Sequence, residues 1–86
     1  MLSPQQLQEI KEKEKVLVVC VRKQIKLAKN MQLFFERDRE GKLKNSVKKY
    51  DIVLIVAEHI SHTYQEIVKK NSQKYYIISK HELNFF

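Results

Sequence analysis

The chain reads as a small α/β domain, an open parallel sheet of three to four strands with helices on its faces, of the Rossmann-like or flavodoxin-like half type. Three observations predict this. First, Val16-Leu17-Val18-Val19-Cys20-Val21, Asp51-Ile52-Val53-Leu54-Ile55-Val56-Ala57 and Tyr75-Tyr76-Ile77-Ile78 are short apolar runs rich in β-branched residues. Continuous rather than alternating hydrophobicity fits strands covered on both faces, as in parallel sheets. Second, the segments between these runs carry helical spacing, giving the order α-β-α-β-α-β, and parallel strands need such crossovers. Third, 86 residues at 43% hydrophobic and 31% charged suit one compact domain. A domain of that size buries only about 60–65% of its unfolded surface, so a homodimer is expected.

Residues 1–15 are predicted to be an N-terminal helix and 16–86 a single α/β domain. Ser3 is the N-cap, Pro4 takes the first helical position, and Gln6 completes a capping box, with Leu2 and Leu7 placed to staple across it. Leu7 and Ile10 form a thin apolar stripe before the solvated run Lys11 to Lys15, so the helix is expected over about Pro4 to Glu14. Between the first two runs, Ile25, Leu27, Ala28, Met31, Phe34 and Phe35 share one half of a helical wheel, while Arg22, Lys23, Lys26, Lys29 and Asn30 share the other. This predicts a long amphipathic helix with a basic outer face, ended near Gly41 by a left-handed cap. Leu43 and Val47 suggest a short further helical turn. Tyr64, Ile67 and Val68 mark the last helix, ending near Asn71, and Ser79 with Glu82 fits a capping box in the tail before Phe85 and Phe86.

The formal charge of +7 is uneven. Residues 1–21 and 50–86 each balance, whereas 22–49 hold ten basic against three acidic residues. Concentrated positive charge attracts polyanions and acidic surfaces. The plainer reading is a solvated helix face.

Several classes are excluded by what is missing. A single Gly rules out the dinucleotide fingerprint and the phosphate-binding P-loop. A single Cys rules out an intramolecular disulfide and Cys-rich zinc sites. Nothing reads as a membrane span or a secretory leader, so a cytoplasmic setting without membrane association is expected.

In open α/β sheets ligands sit at the carboxyl ends of the strands. That edge collects Cys20 to Lys23, then Glu58 to Tyr64, then Ser79 to His81, and so all three histidines. Ser61, His62 and Thr63 open a helix whose free N–H groups suit an anion, with His59 and His81 nearby. The plainer reading is a well-capped helix with surface histidines. Cys20, before a helix and beside Arg22 and Lys23, has the setting of a phospho-accepting thiol, but a buried small hydrophobe explains it as well. His59-x-x-His62 lacks a convincing full ligand set, and no metal or cofactor is expected.

The residues Tyr50-Asp51-Ile52-Val53-Leu54-Ile55, Ser61-His62, Val68-Lys69-Lys70 and Tyr76-Ile77-Ile78, together with the first strand, resemble a family of small bacterial Rossmann-like proteins of unknown function. The resemblance spans about two thirds of the chain and implies the fold. The family usually has Gly after the first strand, where this chain has Cys20-Val21.

The functional expectation is a small binding or regulatory module rather than an enzyme, engaging a nucleic acid or an acidic protein surface. The contacts are assigned to Arg22, Lys23, Lys26 and Lys29, extended by Arg37, Arg39, Lys42 and Lys44. Alternatives are a nucleotide or phosphate module at Ser61-His62 and an inhibitor or adaptor of a mobile element.

Overall fold

The computed structural model describes residues 2–19, 27–34 and 40–85. Helix α1 (Pro4–Glu12) leads into strand β1 (Val16–Val19), followed by β2 (Met31–Phe34), α2 (Glu40–Val47), β3 (Ile52–Val56), α3 (His62–Asn71) and β4 (Tyr75–Ile78). Short 3-10 segments run over Ala57–His59 and Lys80–Phe85. The four strands lie in the order β2-β1-β3-β4, and every neighbouring pair is parallel. This is the flavodoxin-like doubly wound order, reversing between β1 and β3.

The predicted α/β fold is therefore the observed one, with one correction. Met31–Phe34 is a strand paired in parallel with β1 (Val16↔Met31, Val19↔Phe34), not part of a long helix. Gly41 accordingly lies inside α2 and does not close a preceding helix. The apolar spacing at positions 31 and 34 satisfies a helical wheel, yet in the strand Met31 and Leu33 turn to one face of the sheet and Phe34 to the other. Strand pairing overrode the local period. Residues 20–26 and 35–39, including Cys20 and much of the expected basic face, lie outside the described residues.

The period of two along the strands divides the core into two faces. Val16, Val18, Ile52, Leu54, Val56 and Ile78 face α1, which contributes Ile10 with Leu7 and the preceding Leu2. Leu17, Val19, Val53 and Ile55 face α2 and α3, through Leu43, Val47 and Val68. The rings of Phe34 and Tyr64 meet edge to face there, 6.3 Å apart at 70°. Both central strands are thus buried on both sides, the reason for their unbroken apolar sequence.

The capping box at Ser3 and Gln6 forms as read, with both reciprocal hydrogen bonds. Two carboxylates then fasten the ends of the chain to the sheet. Glu9 accepts hydrogen bonds from Lys74 Nζ and Tyr76 Oη, each at 2.9 Å, clamping α1 to β4. Glu82 is buried and accepts from the N–H of Leu2 at 2.8 Å and of Ser79 at 3.2 Å, stitching the tail to the N-terminal segment. Burial alone would raise the Glu82 pKa, but the two N–H donors outweigh it and hold it below the usual carboxylate value. A carboxylate depressed in the folded state stabilises above its unfolded pKa of about 4.3, and that contribution fades as pH falls through the lower folded value. Glu82→Gln is therefore expected to cost about 1–3 kcal/mol near neutral pH. The gap from wild type should shrink on acidification, read as melting temperatures across an acid pH series. A gap unchanged down to strongly acid pH would contradict the assignment.

Candidate functional site

Because the strands are parallel, all their amino ends share one edge. Each strand is entered there shortly after a lysine: Lys15 before Val16, Lys29 before Met31, Lys49 before Ile52 and Lys74 before Tyr75. The helices α2 and α3 also end at this edge, with Lys48 following one and Lys69 and Lys70 in the last turn of the other. Lysines near helix C-termini complement the helix dipole, so local helix chemistry and strand direction bring cations to the same place.

A hydrogen-bond lattice fixes the loops that carry them. Asn30 Nδ2 donates to the carbonyls of Ile10 (2.9 Å) and Lys13 (2.7 Å), tying the entry to β2 onto the end of α1. Val16 N–H donates to Asn30 O at 3.0 Å, and Asp51 N–H to Lys15 O at 2.9 Å, so the three entries sit side by side. Tyr50 Oη donates to Gln32 Oε1, reaching from the entry of β3 across β1 to β2. Gln73 Nε2 donates to Lys48 O at 3.3 Å and joins the fourth entry.

A cavity of about 210 Å³ opens in this lattice. Its wall combines Glu14 and Lys15 ahead of β1, Lys29, Asn30 and Gln32 around the start of β2, and Lys49 and Tyr50 ahead of β3. Lys15, Lys29 and Lys49 are all exposed, and none is paired with an acid among the described residues. Lys74 is different, being held by Glu9 at 2.7 Å.

The carboxyl edge, where ligands were expected, is arranged otherwise. His59 lies in the 3-10 turn after β3, His62 at the start of α3 and His81 in the turn after β4. All three belong to this edge, but among the described residues no group of three or more His, Cys, Asp or Glu side chains is placed to hold a metal ion. Ser61 Oγ is engaged as the α3 cap, accepting from Tyr64 N–H at 3.3 Å. His62 is 86% exposed and only 3.9 Å from Glu66 in its own helix, and Thr63 is exposed. Glu58 accepts from Lys80 N–H at 3.0 Å, bridging the exits of β3 and β4.

Of the expected polyanion contacts, Lys29 sits at the amino edge, while Lys42 and Lys44 are exposed on α2. Arg22, Lys23, Lys26, Arg37 and Arg39 lie outside the described residues. Lys15 and Lys49 lie outside the set of polyanion contacts that the sequence predicts. The available signal was the recurrence of lysine just before each apolar run. Among the described residues no helix is long and apolar enough to cross a membrane. No protein family model, curated protein or solved structure matches the chain.

Proposed function

We propose that this protein is a non-enzymatic module that binds the phosphate backbone of a nucleic acid, with its contact surface at the amino edge of the sheet. The observation that supports this reading is the convergence of Lys15, Lys29 and Lys49 on one cavity, with Lys48, Lys69 and Lys70 on the same side. The surplus of +7 adds long-range attraction. Lysine ammonium groups act as point charges on phosphate and do not read base edges, so the reading is of binding without sequence preference.

Each neutralised phosphate releases counterions, with a log–log salt slope of about −0.7 to −0.9 per contact, so the cavity lysines alone give roughly −2 to −3. Fluorescence anisotropy with labelled single- and double-stranded probes of unrelated sequence, across a potassium chloride series, is expected to give at least that slope and similar affinities between sequences. Affinity flat in salt, or no binding to either DNA or RNA at low salt, would overturn the reading. Binding of an acidic protein but no nucleic acid would do the same.

A further inference from the structure

We infer that the cavity between Lys15, Lys29 and Lys49 seats a terminal phosphate monoester, the phosphorylated end of a nucleic-acid strand, in preference to a phosphodiester within the chain. This rests on the nucleic-acid reading and assigns one site within it. Charge balance is the first argument. Three lysines line the cavity against one acidic residue, Glu14, a formal surplus of two positive charges. A phosphate monoester carries about −1.5 to −2 at neutral pH, whereas a diester carries a single negative charge. The monoester neutralises the cavity and the diester leaves it under-compensated.

Size is the second argument. A cavity of about 210 Å³ has room for a phosphate with its attached sugar. The polar groups around the lysines form the third. Both N–H donors of Asn30 are spent on the carbonyls of Ile10 and Lys13, so its Oδ1 is left as an acceptor. Gln32 accepts from Tyr50 through Oε1, which leaves its own amide N–H groups to donate and Tyr50 Oη to accept. Donors and acceptors side by side, next to a cluster of cations, suit a sugar hydroxyl beside a phosphate.

The test compares short single-stranded oligonucleotides of one sequence ending in a 5′-phosphate, a 3′-phosphate or hydroxyls only, by competition anisotropy at fixed salt. One terminal phosphate is expected to tighten binding roughly fivefold, the value of one added phosphate contact on a single strand near 0.1 M salt. Lys29→Ala with Lys49→Ala should bring the phosphorylated-to-hydroxyl ratio to about one, the hydroxyl probe itself weakening by the two lost contacts and so being compared at lower salt. Both side chains are exposed, so the fold survives the change. Equal affinity of all three probes for the wild-type protein overturns the inference and leaves the nucleic-acid reading standing. A preference that persists in the double variant also overturns it, by placing the terminal phosphate elsewhere. Failure of all three probes to bind removes both.

Discussion

Reversing Lys15 and Lys49 together to glutamate is expected to lower affinity for a nucleic acid with hydroxyl ends, whose phosphodiesters the two lysines contact singly, roughly a hundredfold near 0.1 M salt. The magnitude follows from counterion release: each phosphate contact is worth about 0.9 decades at that salt, so two lost contacts cost about sixtyfold, and two new carboxylates add repulsion. The salt slope should flatten by about two contacts. The informative comparator is Lys42→Glu with Lys44→Glu, an identical change in net charge at two exposed positions of α2. If the amino edge is the contact surface, that pair weakens binding only through the overall field and leaves most of the slope in place. A larger loss from the α2 pair would move the interface to the helix layer and end the amino-edge assignment. Circular dichroism of both variants separates a binding defect from misfolding.

The contrast between these two pairs also marks where the sequence is informative. β1, β3 and β4 announce themselves because burial on both faces leaves no room for polar residues in Val16–Val19 or Ile52–Val56, and Tyr75–Ile78 keeps the β-branched and aromatic signature. α1 and α3 are legible from their caps, Ser3 with Gln6 and Ser61. β2 is not, because it is a four-residue edge strand with Gln32 exposed and Leu33 half-buried, so it carries neither a continuous apolar run nor a clean alternation. Its neighbours Leu27 and Ala28 pack on the same core face as Met31, and the combined spacing imitates a helix.

The site was hidden for a different reason. Summed in blocks along the chain, Lys15 belongs to a neutral segment and Lys49 to a basic one. Only parallel pairing, with Val16 level with both Met31 and Ile52, puts the residues before those positions next to one another. Charge density along a sequence cannot express that adjacency; strand register can. The carboxyl-edge histidines illustrate the converse. Topology places them on a common edge as expected, but side chains on one edge need not point at a common ligand, and here Ser61 and Glu58 are already engaged by backbone N–H groups.

The same register makes the centre of the sheet sensitive to truncation. Leu54→Ala is expected to cost about 2–5 kcal/mol, the usual range for truncating a fully enclosed leucine. Leu54 is 0% exposed, lies level with Val18 on one side and Tyr76 on the other, and packs in the cluster that holds Ile10 of α1. At roughly 0.05–0.15 kcal/mol per residue a domain of this length has only about 4–13 kcal/mol in total, so the variant loses a large fraction of its stability. Ile77→Ala is the control: it sits on the outer strand with 43% exposure and should cost less than about 1.5 kcal/mol. Urea unfolding of the two variants checks the order, and near-equal midpoints would contradict the placement of β3 at the centre. The consequence reaches the binding edge, because Asp51 N–H and Ile52 N–H both donate to Lys15 O where β1 and β3 begin. A cavity behind that junction loosens the spacing of Lys15 and Lys49, so Leu54→Ala should weaken nucleic-acid binding under conditions where it is still folded, whereas Ile77→Ala should not.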